Sequence, residues 1–150
     1  MKAVVQRVKC ASVAVSGENT AKIKEGLLVL LGVEKGDQEK DAVYLAAKIS
    51  NMRIFSDENG KFSFSVKDTG GEIMVVSQFT LLADTKKGNR PSFTSAEAPV
   101  IANELYLSFC KNTELEIGKS VMKGIFGADM LVSIENDGPV TIIIDSRQKL

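Results

Sequence analysis

The chain has 150 residues and equal numbers of basic and acidic side chains, with 19 Lys plus Arg against 19 Asp plus Glu. Its formal net charge of +0 excludes bulk electrostatic attraction to nucleic acid, although a local basic site is compatible with it. The chain contains no histidine, which excludes a Ser-His-Asp or Cys-His catalytic arrangement and any imidazole metal site.

The same counts indicate a broad class of protein. The length predicts one domain, residues 1–150, with room for a hydrophobic core. Cys10 and Cys110 are too few for a disulfide framework, so we expect reduced, buried thiols. The N-terminus alternates and carries charges, unlike a signal peptide, and no apolar run approaches membrane-spanning length. We therefore expect a cytoplasmic protein that does not contact membranes.

In chain order, the first elements are predicted to be strands followed by a helix. Residues 2–17 alternate with period two, which predicts one or two strands. Residues 20–33 add a half-exposed strand and then a fully apolar, buried one. The period changes after residue 36, where Asp37 is the predicted N-cap of a helix. The apolar face of this helix is formed by Ala42, Leu45, Ala46, Ile49 and Met52.

The second half continues with strands, a helix and strands. Residues 53–66 predict a strand, a turn at "DENG" and another extended piece, and residues 73–76 form the strongest β run. A polar loop precedes a second helix, capped by Thr94 and Glu97 or beginning later at Pro99. Its predicted buried stripe is Ile101, Leu105 and Phe109. A hairpin is predicted around "NDGPVT" near the C-terminus. This order favours an α+β layered fold with a mixed, barrel-like sheet and two main helices on one side.

The segment "SQFT", Ser77 to Thr80, places polar groups at the end of the apolar strand. Strand ends are where parallel and mixed sheets build their sites, and Gln and Phe can pair with and stack on a nucleobase. A strand with one polar face is the more ordinary interpretation of this pattern. Spacing alone leaves both interpretations open.

Two further segments carry functional hypotheses beside ordinary ones. Lys86, Lys87 and Arg90 surround Gly88 in a polar loop, and three cations on a loop can hold phosphates, although a solvated loop is the better explanation of these residues taken alone. "GIFGADM" has two glycines around Phe126, which is typical either of close approach by a ligand or of a turn. No zinc pattern, phosphate-binding glycine loop or paired-carboxylate spacing occurs, so no metal or cofactor is expected.

Taken together, "SQFTLLAD", "KKGNRPSF", "FGADM" and "NDGPVT", in this order and spacing, resemble the D-aminoacyl-tRNA deacylase family. The opening "MKAVVQRVKCASVAV" and "GLLVLLGVEKGD" resemble the N-terminal half of that family, so the resemblance covers essentially the whole chain. The stretch "GKFSFSV" departs from the pattern, because the family more often has Met-Asn or a similar polar pair after Gly-Lys.

The resemblance implies an activity and an assembly. Family members are cytosolic homodimers with a β/β/α fold, and they hydrolyse the ester between a D-amino acid and the 3′-terminal adenosine of tRNA. It implies that Ser77, Gln78, Phe79 and Thr80 line the pocket for the adenosine and the ester. It also implies that Gly138 and Pro139 form a cis peptide that enters the partner subunit's pocket and screens chirality.

A backbone screen is physically reasonable, because a side-chain wall relaxes by changing rotamer at little cost whereas a backbone wall does not. The same wall would not reject glycine, which has no side chain to collide with it. Without histidine, we expect backbone N–H groups near Phe79 or Thr80 to stabilise the oxyanion. Thr80 is predicted to position substrate first and to act as nucleophile second. The alternatives are a non-catalytic module that binds the tRNA 3′ end and a scaffold that dimerises through sheet edges.

Overall fold

The computed structural model describes residues 1–148, and its elements follow the predicted order of strands, helix, strands, helix and strands. The strands are β1 (Lys2–Val15), β2 (Glu18–Ile23), β3 (Gly26–Gly32), β4 (Phe55–Ser56), β5 (Phe62–Phe64), β6 (Glu72–Ser77), β7 (Met122–Lys123) and β8 (Met130–Asp145). The helices are α1 (Glu39–Asn51), the single turn α2 (Val66–Thr69) and α3 (Pro99–Ile117), and a 3₁₀ turn spans Phe79–Leu82.

The main sheet is mixed and nearly closes into a barrel. Strand β1 pairs antiparallel with β8 along its whole length, while its other edge pairs first with β3 and then with β2. Strands β3, β6 and β7 run parallel to one another, and β2 folds back against β6 and β7. The predicted α+β class and the mixed, barrel-like sheet are confirmed.

The apolar runs of β3 and β6 are explained by burial on both faces. Leu27, Val29, Ile73 and Val75 point toward the helices, while the alternate residues, such as Leu28, point into the barrel. The barrel interior is filled by Val8, Ala11, Val13, Ala21, Ile23, Leu28, Met74 and Val76. A strand buried on both faces needs no polar alternation, which is why these two strands read as continuous apolar segments.

Helices α1 and α3 pack together on the outer face of the sheet and share one core with it. Four of the five predicted face residues of α1, including Leu45 and Ile49, are fully buried, and Met52 is half-buried at the helix end. Helix α3 ends at Gly118, whose φ of 70° is the left-handed conformation that favours glycine. Among residues 1–148, no helix is long and apolar enough to cross a membrane.

The expectation that Asp37 caps α1 was wrong, because a distant charge uses this carboxylate instead. Gln38 is the N-cap, and it forms a capping box with Asp41. The Oδ1 atom of Asp37 lies 2.8 Å from the Met1 ammonium, and both side chains are 0% exposed. The ammonium also donates to Ser146 Oγ at 2.7 Å, so one charged group holds Met1, Asp37 and Ser146 together.

Helix α3 begins at the later of its two predicted starts, and its buried face differs from expectation at one residue. The helix begins at Pro99, with no side-chain cap on Ala98, so Thr94 and Glu97 do not form a capping box. Pro99 has no N–H and suits the first helical position, which fixes this later start. Ile101 is 46% exposed, because the buried face passes through the next residue, Ala102.

The predicted C-terminal hairpin was wrong: "NDGPVT" lies within one long strand that does not reverse. Residues 130–136 and 141–145 of β8 both pair antiparallel with β1. Asn136 lies opposite Val8 and Thr141 lies opposite Gln6, so the four residues 137–140 face the single residue Arg7 and bulge out of the ladder. Asn136 closes this 137–140 bulge by accepting from Val140 N at 3.0 Å and donating to Thr141 Oγ1 at 3.0 Å.

Candidate active site

A cavity of about 530 Å³ opens at the carboxyl ends of the parallel strands β3, β6 and β7. Carboxyl ends of parallel strands are a common position for ligand sites, because the connecting loops meet there. Most of its wall is apolar, with contributions from Leu31, Val76, Ala102, Tyr106, Phe126 and Met130. The cavity is therefore suited to a ligand with a large flat or apolar part.

The predicted "SQFT" segment forms one edge of this cavity. Ser77, Gln78 and Phe79 line it, whereas Thr80 is exposed and outside the lining, and its Oγ1 accepts a hydrogen bond from Gln78 Nε2. The segment is fixed to the neighbouring strand, since Gln78 N donates to Leu31 O at 2.8 Å. Three of these four residues therefore lie at a cavity, and their catalytic role stays a prediction.

The 3₁₀ turn after β6 provides backbone donors at this edge. Leu81 N donates to Gln78 O and Ala83 N donates to Thr80 O, which is the hydrogen-bonding of a 3₁₀ turn. The N–H groups of Phe79 and Thr80 begin the turn, and the first N–H groups of a helical turn have no acceptor within it. Two donors at the start of one turn can stabilise a developing oxyanion.

Several cavity residues were not singled out from the sequence. Glu97 and Asp129 bring carboxylates to the wall, and Tyr106 lies on α3. Burial raises the pKa of Tyr106, so its hydroxyl stays protonated, and it donates to Val75 O at 2.9 Å. Burial also raises the pKa of the neighbouring Cys110 to about 12, so this thiol is not a nucleophile at neutral pH. The "FGADM" segment, with Phe126 and Gly127, also lines the cavity, and its ligand-binding interpretation stays a prediction.

The loop cations lie outside the cavity. Lys86, Lys87 and Arg90 are all exposed, and none makes an ion pair within residues 1–148. Their loop follows the 3₁₀ turn directly and is closed by a backbone pair between Asp84 and Ser92. Three positive charges without an ion pair among residues 1–148 therefore follow the cavity edge in the chain. They do not line the cavity itself.

Gly138 and Pro139 lie apart from the cavity of their own chain. Their peptide bond is cis, both residues are exposed, and neither is among the cavity-lining residues of the described chain, 1–148. Arg7 holds the 137–140 bulge from below: its Nε lies 3.2 Å from Asp137 O and 3.2 Å from Asp137 Oδ2. Its Nη1 donates to Ile54 O at 2.6 Å, which links the bulge to the segment before β4.

No metal centre is evident in the part of the chain that the structure describes. Residues 1–148 contain no group of three or more His, Cys, Asp or Glu side chains that could hold a metal ion. The hydrogen-bond donors at the cavity are backbone N–H groups, hydroxyls and an amide. Fold and cavity together define an α+β protein with a ligand site at the carboxyl ends of its parallel strands.

Comparison with known proteins narrows this class to one family. The family model for D-Tyr-tRNA(Tyr) deacylase matches residues 4–145, so the chain belongs to that family. A D-aminoacyl-tRNA deacylase of Flavobacterium psychrophilum is 58% identical over 149 residues, which cover 99% of each chain. A D-aminoacyl-tRNA deacylase of Dehalococcoides mccartyi is 59% identical over 150 residues, covering 100% of this chain and 97% of the relative.

Two solved structures have the same fold as this chain. A structure described as c-Myc DNA Unwinding Element Binding Protein has a TM-score of 0.90 and 45% identity, covering 97% of this chain and 98% of its own. A probable eukaryotic D-amino acid tRNA deacylase has a TM-score of 0.82, with coverage of 95% and 97%. Its identity of 15% makes this second likeness one of fold alone.

Proposed function

We propose that this chain is a D-aminoacyl-tRNA deacylase that hydrolyses the ester between a D-amino acid and the 3′-terminal adenosine, releasing free D-amino acid and tRNA. The activity is a proofreading step of translation and takes place in the cytoplasm. The observation that carries the proposal is the cavity at the end of β6, edged by Ser77, Gln78 and Phe79, in a member of this family.

The cavity divides into two chemical regions. Its apolar wall, including Phe126 and Met130, takes the adenosine, and the edge formed by the start of the 3₁₀ turn faces the ester carbonyl. The N–H groups of Phe79 and Thr80 then stabilise the oxyanion that forms when water attacks. With no histidine in the chain, the vicinal hydroxyl of the terminal ribose helps to move the proton.

Chirality is screened by the partner subunit. We place Gly138 and Pro139 in the cavity of a second copy, and two observations support this: both residues are exposed, and neither lines the cavity of its own chain among residues 1–148. Strand β8 supports such a dimer, because it pairs only through β1 among residues 1–148 and exposes Leu131 (71%) and Ile143 (75%). Unpaired apolar strand edges favour association with another chain. The protein is therefore a homodimer, and glycyl-tRNA, which has no side chain, also passes the screen.

The assay that tests this function compares tRNA charged with D-tyrosine and with L-tyrosine. A deacylase of this kind releases D-tyrosine and leaves the L-ester intact, and sedimentation of the active species gives the mass of a dimer. A non-catalytic module for the tRNA 3′ end would instead protect both esters. Release of both amino acids at equal rates, or an active monomer, would contradict the proposal.

Variants at Thr80 separate positioning from nucleophilic attack. We expect Thr80→Ala to keep measurable hydrolysis of D-tyrosyl-tRNA, because the change removes one hydrogen bond to Gln78, worth roughly 0.5–1.5 kcal/mol. Thr80→Ser retains the hydroxyl and is expected to be nearly silent. Single-turnover rates measure both effects. Complete loss in Thr80→Ala with tRNA binding intact would make Thr80 the nucleophile.

Replacing Lys86, Lys87 and Arg90 together by Ala is expected to weaken tRNA binding and flatten its salt dependence. Each lost phosphate contact lowers the slope of log K against log salt by about one unit. Binding titrations at several salt concentrations measure this slope. The matched control is Lys22→Ala with Lys24→Ala, which removes one exposed lysine of β2 and one directly after that strand and leaves the loop intact. An unchanged slope in the loop variant would mean that these cations do not contact tRNA.

A further inference from the structure

Phe79 stands at the cavity edge and Phe93 packs against it, and neither ring belongs to the two hydrophobic clusters of residues 1–148. Phe79 lines the cavity and is nevertheless 58% exposed. Its ring contacts Phe93 edge-to-face, with ring centroids 5.2 Å apart and an interplanar angle of 71°. Because the rings are not stacked on each other and Phe79 is largely open, aromatic surface remains free for a third ring.

The position of Phe93 is fixed by the loop that carries the three cations. Asp84 N donates to Ser92 O at 2.7 Å and Ser92 N donates to Asp84 O at 2.9 Å, which closes the loop one residue before Phe93. Ser95 Oγ donates to Leu82 O at 2.8 Å and anchors the other side. The aromatic pair, the loop cations and the 3₁₀ turn therefore form one continuous piece of surface.

We propose that the Phe79–Phe93 pair is a second nucleotide subsite, which stacks the base that precedes the terminal adenosine while the loop holds phosphates. This inference rests on the proposed function, since it places the terminal adenosine in the cavity. A strand leaving that adenosine has to cross the cavity edge, and Phe79 forms part of that edge. Proteins that hold single-stranded nucleic acid combine aromatic stacking with a positively charged surface.

The chemistry of the subsite predicts which features of the RNA it recognises. Stacking uses the flat face that every base has, so the subsite tolerates any base but requires one to be present. Cations at Lys86, Lys87 and Arg90 add contacts to phosphates and no base identity. The subsite therefore contributes affinity for a single-stranded 3′ end, and the cavity contributes recognition of the reacting ester.

The experiment is a double-mutant cycle on binding, which needs no catalysis. The ligands are a short RNA with the sequence of the tRNA 3′ end and the same RNA lacking the base before the terminal adenosine. Wild-type protein is expected to bind the abasic RNA about five- to tenfold more weakly, within the range of ~1–3 kcal/mol for base–aromatic stacking. Phe93→Leu is expected to bind the intact RNA about five- to tenfold more weakly than the wild type does. On the abasic RNA, the same variant is expected to bind almost as well as the wild type.

Two control variants and a second substrate test whether the loss of binding comes from the aromatic ring of Phe93. Phe93→Tyr keeps the ring and is expected to restore binding, while Phe64→Leu removes an aromatic ring of β5 that is 44% exposed and elsewhere on the surface. In hydrolysis, Phe93→Leu is expected to raise KM for D-tyrosyl-tRNA about fivefold more than KM for 3′-D-tyrosyl-adenosine, which has no preceding base.

Each outcome decides the inference. Equal losses on intact and abasic RNA, or no loss on either, would overturn the subsite and indicate that the pair serves packing or is covered by the partner subunit. If the RNA cycle gives the expected coupling while no D-ester is hydrolysed, the proposed function fails and the subsite stands. If D-esters are hydrolysed and the coupling is absent, only the subsite fails.

Discussion

Asp37→Asn is expected to lower the free energy of unfolding by about 3–5 kcal/mol, which is the usual cost of breaking a buried ion pair by removing one partner. The Met1 ammonium lies 2.8 Å from Asp37 Oδ1, and both side chains are 0% exposed. Water therefore cannot solvate the ammonium once the negative charge of its partner is removed. The same carboxylate accepts from Glu34 N at 2.6 Å and pairs with Arg147 Nη2 at 3.1 Å. Loss of the charge therefore weakens the contacts that hold Met1 and Arg147 to Asp37.

Urea unfolding measures this effect as a shift of the midpoint at constant m. Glu58→Gln is the matched control, because it makes the same carboxylate-to-amide change at an exposed turn position. Surface changes of this kind are usually within about 0.5 kcal/mol. A loss below about 1 kcal/mol for Asp37→Asn would mean that the ion pair contributes little to folding.

Gly138→Ala is expected to reduce hydrolysis of D-tyrosyl-tRNA by roughly ten- to a hundredfold. A Cβ on Gly138 would lie 2.8 Å from Val140 Cγ2, 3.1 Å from Val140 N and 3.3 Å from Arg7 Nη2, and the φ of 127° disfavours L side chains. The backbone nitrogen cannot move aside, so the 137–140 bulge has to shift. Overpacking typically costs ~1–3 kcal/mol, and each ~1.4 kcal/mol is tenfold in rate.

Kinetic assays with the D- and L-esters measure this effect, and Gly60→Ala controls for backbone conformation. Gly60 has a φ of 76°, and nothing lies within 4 Å of its would-be Cβ, so this variant carries the positive φ without the crowding. Its activity is expected to be close to that of the wild type. Comparable losses in both variants would attribute the effect to stability and not to the screen.

Local sequence was sufficient to predict the elements whose structure depends on burying their own apolar residues. The apolar runs of β3 and β6, and four of five face residues of α1, follow from periodicity because each element buries the surface that its pattern describes. The location of Ser77 to Phe79 followed for the same reason, since a polar segment directly after a buried strand has to lie at its end.

Local sequence failed where a distant partner decides. "NDGPVT" has the composition of a hairpin turn, and only pairing with β1, more than a hundred residues away, keeps the chain running in one direction. Asp37 is a good N-cap by type, but a buried ammonium at Met1 competes for its carboxylate. Tyr106 and Glu97 reach the cavity from α3 and the segment before it, where their pattern is that of a core residue and a cap.

We propose that each active site takes its pocket from one chain and Gly138 with Pro139 from the other. Mixed dimers test it most directly, with Gly138→Ala in one chain and the pocket-filling Ser77→Phe in the other, selected through two different affinity tags. In such a dimer, the intact pocket belongs to the Gly138→Ala chain and receives the intact Gly138 of its partner.

Each parent homodimer is expected to be nearly inactive toward D-tyrosyl-tRNA, whereas the mixed dimer is expected to recover about half of the wild-type activity per dimer if its two pockets act independently. A mixed dimer that recovers no activity, while the wild-type protein passed through the same tagging and purification is fully active, would contradict the account and place the screen within a single chain.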